Sequence, residues 1–281
     1  MGQYLRPTTL DDALAALAAR RLTVLAGGTD HFPARVVETP DDDILDITAL
    51  PDLRAIVWRD DHWWLPCLAT WTDLIRARMP AAFDALTQAA RQVGGVQVQN
   101  AGTIVGNLCN ASPAADGIPC LLALDAEVEL ASAAGRRVLA LDDFLMGPRR
   151  TARRPDELVL GLRIPPAPDA ARACFQKLGA RRYLVISIVM VAAELHTLPD
   201  GTIGRARIAV GACAPRALRL PALEAALAGQ LPDPALIRPE HFAALAPIDD
   251  IRATARYRQA AALELARRAV AALAGRAAAA A

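Results

Sequence analysis

Asn100-Ala101-Gly102-Thr103-Ile104-Val105-Gly106-Asn107-Leu108-Cys109-Asn110-Ala111-Ser112-Pro113-Ala114-Ala115-Asp116 is the stretch on which the reading of this chain turns. It holds three asparagines, two glycines, two hydroxyl side chains and one acid, with neither lysine nor arginine. It sits in a longer run, residues 94–116, that has few charges and no clear helical or alternating period, and so it reads as a long loop. Loops of that length inside a compact domain generally carry function. Neutral donors and a close backbone approach suit phosphate, which proteins often hold with N–H groups rather than full charges. Asp116 can accept from ribose hydroxyls or an adenine amine. An Ω-like loop held together by its own asparagines is the competing reading.

Upstream, Ala26-Gly27-Gly28-Thr29-Asp30 follows the strand-like Thr23-Val24-Leu25. A strand that stops at two glycines can turn its next amides toward one point as an anion nest, and Thr29 adds a hydroxyl. An ordinary strand-ending turn accounts for the same residues. Two phosphate-suited segments so far apart in sequence imply an extended ligand lying between two lobes. The fingerprint GxGxxG is absent, which leaves a Rossmann site unsupported.

Around these segments the chain divides into three parts. A first lobe, 1–60, starts with a helix capped by Thr9 and Asp12. It continues through strands at 23–26 and 44–47, an acidic turn at Asp41-Asp42-Asp43, and a strand pair turned at Asp60-Asp61. A second lobe, 61–166, carries helices over 72–78 and 81–93, the long loop, a short helix at 119–124 and three strands. Residues 165–171, rich in proline and alanine, form the linker. In the C-terminal part, 172–281, strand-like runs lie at 173–178, 184–195 and 203–212, the last two joined by Pro199-Asp200-Gly201. They read as a meander covered on one face by helices near 220–228 and 255–274.

Composition narrows the function. Hydrophobic residues make up 54% of 281 and charged residues 22%, as in a packed globular chain. With 31 basic against 30 acidic residues and a formal charge of +1, no basic face points to nucleic acid. No apolar run is long enough for a membrane span. The opening Met1–Pro7 lacks the apolar core of a secretory signal, and Arg6 stands where a myristoylation motif needs Ser or Thr, so a cytoplasmic location is expected. Cysteines at 67, 109, 120, 174 and 213 form no CxxC pair, and histidines at 31, 62, 196 and 241 show no ligand spacing. No metal site is expected on this chain, and Cys109 reads as a small buried hydrophobe.

Taken in order, Ala26–Asp30, Thr103–Asn107 and Ser112–Asp116 resemble the FAD-binding (medium) subunit of the molybdenum hydroxylase family, the xanthine dehydrogenase and carbon monoxide dehydrogenase type. Pro155-Asp156-Glu157-Leu158-Val159, Ile164-Pro165, Phe175-Gln176-Lys177-Leu178, Asp250-Ile251-Arg252 and Tyr257-Arg258 extend the likeness along nearly the whole chain. The resemblance implies an α+β fold. Its parts would be a two-lobed FAD-binding domain of the vanillyl-alcohol oxidase/p-cresol methylhydroxylase type and a C-terminal α+β domain with a three-stranded antiparallel sheet and helices. It implies that Ala26, Gly27, Gly28, Thr29, Asp30, Thr103, Gly106 and Asn107 surround the pyrophosphate of FAD, and that Ser112 and Asp116 serve the adenosine half and the phosphates. Val159 and Lys177 would touch the isoalloxazine ring, although a solvated strand side chain is an equal reading of Lys177.

No catalytic side chain is expected, because the flavin carries the chemistry. The implied partners are a small [2Fe–2S] subunit and a large molybdopterin subunit, with electrons passing through FAD to NAD or another acceptor. Two departures stand out. Val105 replaces a glycine of the family's usual Thr-Ile-Gly-Gly-Asn and tolerates positive φ poorly, so an extended or locally rearranged backbone is expected there. Gln99 replaces a common arginine. The rival readings are a self-sufficient flavin oxidase and a flavin-free assembly scaffold.

Overall fold

The computed structural model describes residues 2–34 and 42–280, with side chains to 275. Met1, Asp41 of the acidic turn and Ala281 lie outside the described residues. The chain opens with β1 (Tyr4–Leu5), α1 (Leu10–Ala19), β2 (Thr23–Leu25) and β3 (Ile44–Asp46). Thr9 caps α1 as expected, its hydroxyl accepting from the Asp12 amide at 3.2 Å. The helix buries Ala13, Leu14 and Leu17. The three strands form a sheet ordered β1-β3-β2, with β3 parallel to both neighbours.

Next come the hairpin β4 (Val57–Arg59) and β5 (His62–Pro66), then helices α2 (Trp71–Arg76), α3 (Asp84–Ala90), α4 (Val96–Ala101), α5 (Ile104–Asn110) and α6 (Gly117–Ala123). Strands β6 (Glu127–Ser132) and β7 (Gly135–Ala140), the short α7 (Leu141–Phe144), the small hairpin β8 (Leu145–Gly147) and β9 (Arg150–Thr151), and β10 (Leu158–Ile164) complete this part. An antiparallel five-stranded sheet runs β4-β5-β10-β6-β7. The β4–β5 hairpin therefore belongs to the second sheet, and a boundary at residue 60 would cut it in two. Trp64 explains the placement: this β5 side chain is buried in the core, and Trp63 beside it packs edge-on against Phe83.

The stretch read as a long loop is largely helical. Helices of six and seven residues are too short to show a period, and their glycines and asparagines have low helix propensity. Thr103 starts α5 by accepting from the Gly106 amide at 2.9 Å, and Ala111 ends it in the left-handed region at φ 46°.

The C-terminal domain contains β11 (Ala171–Leu178), β12 (Val189–Thr197), β13 (Ile203–Gly211), β14 (Leu218–Arg219), α8 (Pro221–Leu227) and α9 (Ala255–Ala280). Its antiparallel sheet has four strands, β11-β12-β13-β14, because the two-residue β14 adds to the expected three. β12 begins at Val189 rather than near 184, since Leu184 turns the backbone left-handed at φ 52°. Helices cover both faces of this sheet instead of one: α8 and α9 on one side, α3 and α6 of the preceding region on the other. All seven residues of α6 are buried. The whole is an α+β fold with a two-lobed N-terminal region and a C-terminal α+β domain. No helix among the described residues is long and apolar enough to cross a membrane.

Candidate cofactor site

Between the two N-terminal lobes lies a cleft of about 580 Å³, a size typical of small-molecule and cofactor sites. Ala26, Gly27, Gly28, Thr29 and Asp30 line one side, and Thr103, Gly106 and Asn107 the other, with Val159 of β10 also on the wall. The two glycine-bearing segments meet. A Cβ on Gly27 would sit 1.8 Å from the Ala101 carbonyl oxygen, so only glycine allows this approach. A Cβ on Gly102 would lie 3.0 Å from the Thr29 hydroxyl. Gly28 adopts φ 67°, a left-handed conformation open to glycine at little cost.

The electrostatics differ on the two sides. Among the described residues, the amides of Gly27, Gly28 and Thr29 have no hydrogen-bond partner within the chain. Three successive unspent donors at a left-handed turn make an anion-accepting concavity. Across the cleft, the amides of Ile104, Gly106 and Asn107 are already used, by the Ala69 carbonyl, the Thr103 hydroxyl and the Thr103 carbonyl. Asn107 keeps capacity of another kind: its Oδ1 is buried without a hydrogen-bond partner, so this amide has bonds left to make.

Val105 sits in the first turn of α5, buried and right-handed, and not among the positive-φ residues. The position thus needs no glycine for backbone reasons, and the expected extension or rearrangement is a regular helical turn. Gln99 uses its side-chain amide to donate to the Arg91 and Val93 carbonyls, at 3.3 and 3.2 Å, closing the end of α3.

Three residues expected at the cofactor, Ser112, Asp116 and Lys177, are not among those lining this cleft. Asp116, the residue before α6, pairs with Lys177 of β11 at 2.5 Å and accepts from the Ser187 hydroxyl at 2.6 Å, all three deeply buried or nearly so. Burial pushes the Asp116 carboxyl up, opposed by the Lys177 ammonium and the two hydrogen bonds. Ser112 accepts from the Ala114 amide at 3.3 Å in the turn after α5. None of the three lines the cleft. The physical reason is that a buried carboxylate must be paired, and Lys177 arrives on β11 to pair it; neither group is left for a ligand or for solvent.

The cleft also holds residues that sequence reasoning passed over. Cys67, Trp71, Arg153 and Asn110 line it. Arg153 donates to the Arg154 and Glu157 carbonyls at 3.2 and 2.7 Å. Cys109, read as a small hydrophobe, lines the cleft too, and burial raises its thiol to about 11, so it is no thiolate. Arg149, at the tip of the β8–β9 hairpin, spans the opening: its Nη1 donates to Asp30 at 3.2 Å and Asn110 at 2.7 Å. Its signal was the turn Gly147-Pro148-Arg149, which says nothing about distant partners.

An amide turn suited to a diphosphate, an unspent asparagine and a mixed apolar wall fit an extended phosphate-bearing cofactor such as a flavin dinucleotide. Comparison with known proteins makes this specific. Residues 1–167 match the model of the FAD binding domain in molybdopterin dehydrogenase, and residues 174–273 that of the CO dehydrogenase flavoprotein C-terminal domain. The chain is 31% identical to the xanthine dehydrogenase FAD-binding subunit of Escherichia coli O157:H7, over 77% of this chain and 75% of the relative. It is 29% identical to the nicotine 6-hydroxylase medium subunit of Paenarthrobacter nicotinovorans over 95% of each. A solved carbon monoxide dehydrogenase from Hydrogenophaga pseudoflava superposes with a TM-score of 0.89 at 27% identity, covering 98% of both chains. This chain belongs to the molybdenum hydroxylase family as an FAD-binding medium subunit, part of an oxidoreductase.

Proposed function

We propose that this subunit relays electrons, by way of FAD held in the interlobe cleft, from the [2Fe–2S] clusters of a small partner chain to an acceptor such as NAD. A large molybdopterin chain would oxidise the substrate. The relatives' designations as medium subunits and medium chains support a three-part assembly. When bound, FAD supplies the redox chemistry; the protein's work is to hold it, exclude water and set its surroundings.

The observation that carries this reading is the run of unspent amides at Gly27, Gly28 and Thr29, closed against α4 and α5 by the Gly27–Ala101 contact. These donors would take the diphosphate, with Thr103 shaping α5 so that Gly106 and Asn107 approach from the other side. Ala26 and Asp30 flank the grip, Arg149 straps Asp30 to Asn110 above it, and Val159 offers an apolar wall to the isoalloxazine. Asp116 and Lys177 act at a remove, by fixing the seam behind the cleft, and Ser112 shapes the turn after α5.

The test is to isolate the complex, denature it and quantify released FAD, then reduce the intact complex with substrate while following cluster and flavin absorbance. Stoichiometric FAD that is reduced after the clusters is expected. A colourless complex, or a flavin that stays oxidised beside reduced clusters, would sink the proposal.

A further inference from the structure

Three arginine or aspartate side chains line the cofactor cleft: Arg21, Asp30 and Arg153. Arg21 is exposed, and Asp30 is met by Arg149 at 3.2 Å. Arg153 differs from both. It is half-buried, and among the described residues no carboxylate pairs with it. Glu157, four residues on, is taken by the Arg137 guanidinium at 2.6 and 2.8 Å and by the Arg154 amide at 2.7 Å. A cation drawn part-way out of water needs an opposite charge or acceptors to offset its lost hydration. Within the chain Arg153 finds only carbonyls.

One corner of its guanidinium is fixed. Nη1 donates to the Glu157 carbonyl at 2.7 Å and to the Arg154 carbonyl at 3.2 Å, which ties the group to the turn leading into β10. Nε and Nη2 have no partner among the described residues. A planar fork tethered at one corner loses little further freedom when the rest of it is used. The tether also sets where in the cleft the charge stands. Leu158 and Val159 follow Glu157 directly and line the cleft with Arg153. Burial raises the Cys109 thiol and the Arg153 charge opposes that rise, so its field reaches a side chain of α5 across the site. The other end of the cleft has its own anion grip, the free amides of Gly27, Gly28 and Thr29. Lys177 supplies no charge here, being held by Asp116.

We infer that Arg153 sets the redox potential of this subunit's flavin, its free guanidinium edge facing the pyrimidine end of the isoalloxazine ring beside Val159. The oxidised ring is neutral. Two electrons and one proton leave the reduced ring with one negative charge, spread over N1 and the C2 carbonyl. A fixed cation at that edge favours the reduced state over the oxidised one, because it meets a charge that only the reduced state carries. Opposite unit charges about 4 Å apart in a half-exposed site shift such an equilibrium on the order of 10-fold or more. Arg153 thereby makes the flavin a better electron acceptor, while the amides of Gly27–Thr29 bind both states alike. The inference deepens the relay reading and rests on it.

The test measures the flavin midpoint potential of the isolated complex by spectroelectrochemistry, in wild type, Arg153→Met and Arg153→Lys, with FAD content and thermal unfolding followed in each. Methionine keeps an unbranched stem without the charge; lysine keeps the charge without the fork. Arg153→Met is expected to retain FAD and to move the reduced-to-oxidised equilibrium on the order of 10-fold toward the oxidised state, a potential about 30 mV lower for a two-electron couple. Arg153→Lys should recover most of that shift. An unchanged potential in Arg153→Met would overturn the inference. So would an equal fall in Arg153→Lys, which would assign the effect to packing rather than charge. Loss of FAD from a folded Arg153→Met protein would also overturn it, by placing the guanidinium on a group charged in both states, the diphosphate. Arg153→Gln, made alongside, answers the same question should Arg153→Met fail to fold. A wild-type complex that holds no FAD would instead overturn the relay reading itself.

Discussion

Two glycine-bearing segments face each other across the cleft, yet they spend their backbones differently. The turn at Gly27–Thr29 leaves successive amides without partners, while the start of α5 at Thr103–Asn107 uses nearly all of its donors on its own cap and on Ala69. The first is an open donor set awaiting an anion; the second is a finished helix whose contribution is shape and one asparagine. A phosphate site can thus be built asymmetrically, with affinity on one wall and geometry on the other. Sequence motifs that look equivalent need not do equivalent work.

The sharpest way to break this contrast is Gly27→Ala. Its methyl would collide with the Ala101 carbonyl at 1.8 Å, forcing the walls apart. Flavin released on denaturation should fall to near zero, while circular dichroism shows the fold retained; full FAD content would refute the assignment of affinity to the turn. Asp116→Asn probes what stands behind the second wall. It leaves the Lys177 ammonium buried without its carboxylate, and the complex-free chain should lose roughly 3 kcal/mol in chemical denaturation. Asp116→Leu combined with Lys177→Met should recover most of that loss; an equal loss in the double variant would show that packing, not charge, holds the seam.

Smaller effects separate shape from affinity. Thr103→Ala removes the α5 cap and should cost about 1 kcal/mol of stability, with FAD affinity reduced several-fold and restored by Thr103→Ser. If the alanine variant matched wild type in both measurements, the cap would have no part in the site. Arg149→Ala, at an exposed pair, should change stability by less than about 1 kcal/mol. Its effect should instead appear as faster FAD release in stopped-flow fluorescence, and an unchanged rate would remove the strap from the account.

Legibility followed the range of the interactions. Gly27, Gly28 and the cap at Thr9 could be read locally, because a glycine pair ending a strand and a Thr-x-x-Asp start each announce their backbone geometry. The helicity of 94–116 could not, since α4 and α5 are held by neighbours such as Ala69 and Trp71 rather than by their own propensity. The Asp116–Lys177 pair joins residues 61 apart, and only the packing of the α6 region on the C-terminal sheet brings them together. One clue was available and unused: Val189–Leu195 is almost continuously apolar, the pattern of a strand covered on both faces.

α6 carries a last consequence. It is clamped to the C-terminal sheet at both ends, by Asp116 with Lys177 at its start and by Asp125 with Arg207 and Arg219 just past its finish. The proline-rich stretch before β11 therefore joins two bodies that share a single interior, and cleaving it would leave halves still gripping one another. Opening to admit or release a cofactor cannot come from swinging the C-terminal body aside.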